Sequence, residues 1–400
     1  MDEDKVVGTG DGEDQRIPFH RPSIDEGEIN AALRVLQSGW LTTGPEAKAF
    51  EAEFADYVQM QHAVAVNSCT AALHLGLEAM DISPGDRVLT TPLTFTASAE
   101  VIRYLGADPV FADIDPRTLN ISSKKIEEKL AHDDGIRAIL PVHYAGLSCD
   151  MTEIRKLARK HDCRILEDAA HSFPATYDGR PVGQLGDAAA YSFYATKTLA
   201  VGEGGMLVTN DSAIADRARI MRLHGISSDV FDRYRSPKPS WYYEIVAPGF
   251  KYNLPDVAAT IGRVQLQRAD ELRQKRESIA RRYNESFDAL PVVRPPTAPD
   301  QDIHAWHLYV LRLDLNRLLI SRNEFIEQMA ARGIGTSVHF IPLHLQPYWR
   351  DTYNLRPEDF PVATDVFDRV VSLPIYPAMT SAEVERVIEI VTAILTTHSR

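Results

Sequence analysis

The stretch YSFYATKTLAVGEGG, residues 191–205, carries one lysine, Lys197, among small, hydroxyl and aromatic residues. A lone cation there has three uses: it can hold a phosphate, bond to a carbonyl, or stay in water. A phosphate-cradling P-loop needs GxxxxGK[ST], because glycines let backbone N–H groups wrap the anion. Here Thr196 precedes the lysine and the nearest upstream glycine is Gly186, which rules that motif out. A solvated surface lysine is the commonest state. Against it stand the flanks: Ala188, Ala189, Ala190, Tyr191, Phe193, Tyr194 and Ala195 on one side, Leu199, Ala200 and Val201 on the other. Such neighbours strip water from the amine. Desolvation lowers its pKa, and a neutral amine attacks carbonyls.

A lysine that bonds to pyridoxal phosphate needs three companions. One is a carboxylate that keeps the pyridine nitrogen protonated, so that the ring can accept electrons. The second is a set of backbone N–H groups at a helix start for the phosphate. The third is a flat apolar surface for the ring. Asp168, in RILEDAAHS, follows an apolar run and falls at the carboxyl end of an expected strand. Glu167 is adjacent, but strand alternation sends the two to opposite faces. Asp168 as a plain helix N-cap is the alternative. In NSCTAALHL (67–75), Ser68, Thr70 and the N–H groups of Thr70 and Ala71 stand at a strand-to-helix turn, the place for a phosphate or for ordinary capping. Ser192 adds a hydroxyl, and Phe95 in TPLTFTAS is a candidate ring-stacking residue or a core aromatic.

These groups need a frame. From residue 60 to about 210, β-branched runs (HAVAVNS, RVLTTP, DPVFADI, RAILPVHYAG, CRILEDAAH) alternate with helical stretches. That rhythm predicts a mostly parallel sheet with helices on both faces, and such sheets bind ligands at the carboxyl ends of their strands. AAAYSFYA and GGMLVTN read as two strands with the lysine loop between them. Residues 256–288 read as one long helix leading into a second, smaller α/β unit. In that unit HLYVLRLDL and GTSVHFI read as strands, and SRNEFIEQMAARG and SAEVERVIEIVTAIL as helices. The expected division is a disordered acidic tail over 1–16, a large domain over 17–265, and a connecting helix with a small C-terminal domain over 266–400.

Composition narrows the partners. The chain has 400 residues, 44% apolar, and a net charge of −13, with no basic cluster, so nucleic acid is excluded as a partner. Cys69, Cys149 and Cys163 are widely spaced with no CxxC, which argues against disulfides and a cysteine zinc site; no metal is expected. There is no run near the roughly 18 apolar residues of a membrane span and no secretory hydrophobic core, so a cytoplasmic protein is expected.

Taken together, SGWLTTGP, SCTAALHLGL, PVHYAG, EDAAHS, SFYATKTLAVGEGG, GFKYNLPDVAA, HAWHLY, GIGTSVHF and SLPIYPAMT resemble the pyridoxal-phosphate sugar aminotransferases of the DegT/DnrJ/EryC1/StrS family. The likeness runs from about Ile17 onward and is nearest to the branch that makes UDP-4-amino-4-deoxy-L-arabinose. It implies the fold type I, aspartate-aminotransferase-like architecture, with a mostly parallel seven-stranded sheet in the large domain. It implies that Lys197 bonds to the cofactor, that Asp168 pairs with the pyridine nitrogen and that His171 lies beside the ring. Thr70, Ala71 and Ser192 match phosphate-binding positions, and Phe95 the ring-stacking place. Asn253 matches an asparagine reaching the neighbouring subunit's cofactor, which implies a homodimer with composite sites. Thr43 and His339 match positions near the sugar. Cys69 and the region 227–246 depart from the family pattern.

The resemblance implies ping-pong transamination, from L-glutamate to a nucleotide-linked 4-keto sugar, with 2-oxoglutarate released. A dehydratase of the same family, in which histidine replaces the lysine, and a non-catalytic cofactor-binding regulator are the alternatives; Lys197 counts against both. For the sugar's diphosphate, the loop DVFDRYRSPKPSW (229–241) offers Arg233, Arg235 and Lys238, with a solvated surface loop as the alternative.

Overall fold

The computed structural model describes residues 16–227 and 243–400. The acidic tail as far as residue 15, and the loop with Arg233, Arg235 and Lys238, lie outside the described residues.

After helices α1 (Glu26–Ser38) and α2 (Pro45–Tyr57), strands and helices alternate. They run β1 (His62–Val66), α3 (Cys69–Ala79), β2 (Arg87–Thr90), α4 (Ala97–Tyr104), β3 (Asp108–Phe111), α5 (Ser123–Leu130), β4 (Ile136–Ile139), α6 (Met151–Lys160) and β5 (Arg164–Asp168). A small hairpin, β6 (Thr176–Tyr177) and β7 (Arg180–Pro181), precedes β8 (Ala188–Ser192), β9 (Gly205–Thr209) and α7 (Ser212–Met221). The main sheet has seven strands in the order β1-β9-β8-β5-β4-β2-β3. Only β9 runs against the rest: it pairs antiparallel with β1 and β8, while β8, β5, β4, β2 and β3 pair in parallel.

Both faces of this sheet are buried, and side chains alternate between them with a period of two. Ala63, Ala65, Ala189, Tyr191, Met206 and Val208 face a core that includes Phe50 and Phe54 of α2. Val64, Val66, Ala188, Ala190 and Leu207 face the other way, onto α3 and α7. On the α3 side β8 presents only the small Ala188 and Ala190, which pack in one core with Ala71, Ala72 and Leu75 of that helix.

The helix expected over 256–288 is two helices, α8 (Asp256–Gln267) and α9 (Ala269–Ser286). Arg268 leaves helical geometry at φ −102°, ψ 4°, and its guanidinium pairs with Asp25 at 2.7 Å and Glu28 at 2.9 Å at the start of α1. The break divides the packing: α8 lies on α1 and α2, whereas α9 lies on the C-terminal helix α13. A second, three-stranded sheet, β10 (Val292–Val293), β11 (Tyr309–Leu313) and β12 (Val370–Leu373), is antiparallel and covered by α10 (Arg322–Ala331) and α13 (Ser381–Thr397), with α11 (Pro347–Tyr353) and α12 (Pro361–Arg369) between. The strand expected at GTSVHFI does not form. Among the described residues that segment makes a single bridge, Ser337 to Ser372 of β12, just after the bridge of Ile334 to Ile17, and Ser337, His339 and Phe340 line a cavity.

The turn after β1 depends on a close approach. Ser68 caps α3, its Oγ accepting from the Ala71 N–H at 3.1 Å. A Cβ on Gly205 would stand 2.5 Å from the backbone C and O of Ser68, so only glycine lets β9 pass this turn. Gly205→Ala should therefore destabilise the fold by about 1–3 kcal/mol, read as a lower urea midpoint with little change in slope.

Candidate active site

Three strand ends meet at the carboxyl edge of the sheet. Asp168 is the last residue of β5, Ser192 the last of β8, and Ser68 follows β1 by two residues. Between them and the smaller sheet lies a cavity of ≈ 510 Å³ that Lys197 and Asp168 both line. A larger hollow of ≈ 730 Å³ lies along α9, beside Glu277, Arg281 and Asp288, and touches none of the residues singled out above.

Lys197 stands in the loop from β8 to β9, fixed by its N–H to the Tyr194 carbonyl at 2.8 Å. Its Nζ meets Nε2 of His307 at 3.4 Å. Burial pulls the amine down to about 8; Arg276 pushes the same way, while Cys69 and Asp168 oppose. Asp168 accepts from Ser98 Oγ at 2.7 Å and from the Ala170 N–H at 3.1 Å. Burial raises its carboxyl pKa, and those two bonds, with Lys197, work against the rise. No helix starts after Asp168, so it is not an N-cap. Glu167 points to the other face, where it accepts from His143, Gly183, Leu185 and Gly186, all at 2.6–3.2 Å.

Ser68, Thr70, Ser192, His171 and His339 all line the cavity. Ala71 does not; it is buried, and its N–H is taken up by Ser68. Phe95 is no core aromatic: it is 59% exposed at the rim, with its ring 5.9 Å from that of Phe340. His171 is held neutral by burial, then by Lys197 and His339, and its Nδ1 accepts from the Ala145 N–H at 3.3 Å. His339 bonds Ser372 Oγ at 2.9 Å through Nδ1. Asn253 and Thr43 come together away from this cavity, with Asn253 Nδ2 donating to Thr43 Oγ1 at 2.7 Å and Thr43 Oγ1 donating to the Leu254 carbonyl at 2.6 Å.

Sequence reasoning passed over His20, Ser98, His307 and Phe340, which share the cavity. His20 and Ser98 have no local signature. His307 stands in HAWHLY and Phe340 in GIGTSVHF, both singled out as stretches without a role for these residues.

Two opposite charges thus face one cavity without pairing: among the described residues Lys197 bonds His307, and Asp168 bonds Ser98 and Ala170. Helix α3 opens beside them with the hydroxyls of Ser68 and Thr70. A group with a carbonyl at one end, a basic ring nitrogen at the other and a phosphate to one side fits that arrangement.

Residues 22–392 match the DegT/DnrJ/EryC1/StrS aminotransferase family. The chain belongs to that family. It is 47% identical over 376 residues to the spore coat polysaccharide biosynthesis protein SpsC of Bacillus subtilis, covering 94% of this chain and 96% of SpsC. Among solved structures it is similar to the putative sugar aminotransferase Spr1654 from Streptococcus pneumoniae in its PMP form, with a TM-score of 0.89, 32% identity, and 95% of this chain and 99% of that one covered. It is also similar to Helicobacter pylori PseC, an aminotransferase involved in the biosynthesis of pseudoaminic acid, with a TM-score of 0.87, 28% identity, and 96% and 100% covered. This aminotransferase has the fold type I architecture, and its cofactor is pyridoxal phosphate.

The electrostatics of Lys197 set a pH dependence. The amine reacts only when neutral, and its neutral fraction rises with pH through its pKa. Capture of pyridoxal phosphate by the apo-protein should therefore rise with a midpoint near pH 8. The check is the rate of the absorbance change across a pH series, with Lys197→Ala as the blank. A midpoint like that of a free lysine amine, about 10.4, would refute the desolvated site.

Proposed function

We propose that this aminotransferase moves the amino group of L-glutamate to carbon 4 of a nucleotide-linked 4-keto sugar, with UDP as the carrier. The observation that carries the reading is the buried, depressed amine of Lys197 facing Asp168 across one cavity. The sugar half is supported by the likeness to SpsC, named for polysaccharide biosynthesis, and to PseC. The product would then feed a cell-surface polysaccharide or another glycan. An aminotransferase family match together with an intact Lys197 favours this over the dehydratase and the regulator.

Pyridoxal phosphate, when bound, supplies an electron sink that makes the donor's α-proton removable. Lys197 would hold it, and Asp168 would keep its ring nitrogen protonated. Ser68, Thr70 and Ser192 would offer hydroxyls to the phosphate beside the positive end of α3, and Ala71 would act through the cap it makes with Ser68. Phe95 and His171 would bound the ring. Lys197, when not bonded to the cofactor, would take the donor's α-proton at Nζ and hold it for return, work suited to an amine poised near 8. The keto sugar would be met by the same groups, with His339 beside it.

Asn253 and Thr43 belong, in this reading, to the neighbouring subunit's site; they bond each other and do not line the cavity of their own chain. Mixing Lys197→Ala with Asn253→Asp, both inactive alone, should restore activity through heterodimers with one intact site. No recovery after demonstrated subunit exchange would mean that each site is built from one chain.

The substrate reading is tested with a panel of nucleotide-linked 4-keto sugars and glutamate, with products identified by mass. One member should gain an amino group. Asp168→Asn should cut that turnover on the order of 10²–10³-fold with the fold kept. Amination of none of the panel would sink the substrate assignment.

A further inference from the structure

His307 has no role in the chemistry described so far, yet it is the hydrogen-bond partner of Lys197. Its backbone is anchored from beneath. The buried guanidinium of Arg276, on α9, donates to the carbonyls of Trp306 at 3.4 Å, His307 at 3.3 Å and Ile375 at 2.6 Å. The imidazole enters the cavity, 6% exposed, with its ring 4.4 Å from that of His171.

An ammonium at Nζ donates to Nε2, at 3.4 Å, and a neutral amine can donate to it or accept from it. Among the described residues Nδ1 is buried with no partner, so the bond to Lys197 is the one the ring's nitrogens make.

The choice of histidine has a physical reason. Lys197 is a long side chain with freely rotating bonds, and once detached from a cofactor it has many rotamers to explore. A carboxylate in the place of His307 would capture the amine but hold it as an ammonium ion. An apolar residue would not hold it at all. A neutral imidazole accepts the hydrogen bond without adding charge. Burial keeps His307 neutral, reinforced by Lys197, His171, Arg276 and His339, the charged and titratable groups around it.

The geometry points to His307 as a positioning residue that receives the amine of Lys197 whenever that amine is not bonded to the cofactor. It keeps Nζ over the cavity, ready to bond again or to carry a proton. The inference rests on the role proposed for Lys197, so the test separates the two.

Apo-protein is mixed with pyridoxal phosphate, capture is followed by absorbance, and the adduct is trapped with borohydride and located by mass. His307→Leu should slow capture by about 10- to 100-fold and lower kcat alike, leaving the KM for glutamate within about twofold. His307→Gln, whose amide reaches the place of Nε2, should recover most of both. Capture by His307→Leu at the wild-type rate, with no adduct in Lys197→Ala, would overturn the inference alone. Equal slowing in the Leu and Gln variants, with both melting at lower temperature, would also overturn it, as a packing effect. An adduct that persists in Lys197→Ala would overturn the Lys197 reading beneath it.

Discussion

The separation of Lys197 and Asp168 inside one buried cavity governs this molecule. Opposite charges out of water attract strongly, and left free they would close on each other. Here each is tied elsewhere, Asp168 to Ser98 and the Ala170 N–H, Lys197 to His307. The span between them stays open, and burial, which outweighs the pull of Cys69 and Asp168, keeps the amine lowered to about 8. Strands β5 and β8 set the spacing: they pair in parallel, Asp168 opposite Ala190, so the carboxylate and the root of the lysine loop leave the sheet side by side.

The same sheet keeps two consecutive carboxylates apart. Glu167 and Asp168 are neighbours in the chain, but alternation puts Glu167 in the opposite core. There it gathers donors from His143 and from the backbone of 183–186. His143 Nδ1 in turn accepts from the Cys149 N–H. Glu167 thus ties the strand to the loops behind it, and Asp168 is left free for the cavity. Exchanging their environments by one residue of register would lose both functions.

Neutral imidazoles line the rest of the pocket. His20, His171, His307 and His339 all have their pKa values lowered, with burial as the leading cause. They give a polar lining that bonds without contributing charge, which leaves the field of the site to Lys197, Asp168 and Glu203 in the lining and to the buried Arg276 behind it.

Much of this was legible in the sequence because it is local. Strand–turn–helix punctuation places Ser68 and Thr70 at a helix start, and the small and aromatic flanks of Lys197 announce its desolvation. Asp168 closes an apolar strand, and the β-α rhythm predicts the parallel sheet. What the sequence left open comes from contacts distant in the chain. Lys197 and His307 are 110 residues apart, Ser98 and Asp168 are 70, and His20 and Ala195 are 175. The break at Arg268 depends on carboxylates at the start of α1, and the segment GTSVHFI, which forms no strand, lines a cavity that exists only once two sheets face each other. Periodicity and burial are written along the chain. Which buried groups touch is decided by the packing of elements on one another, and no local pattern encodes that.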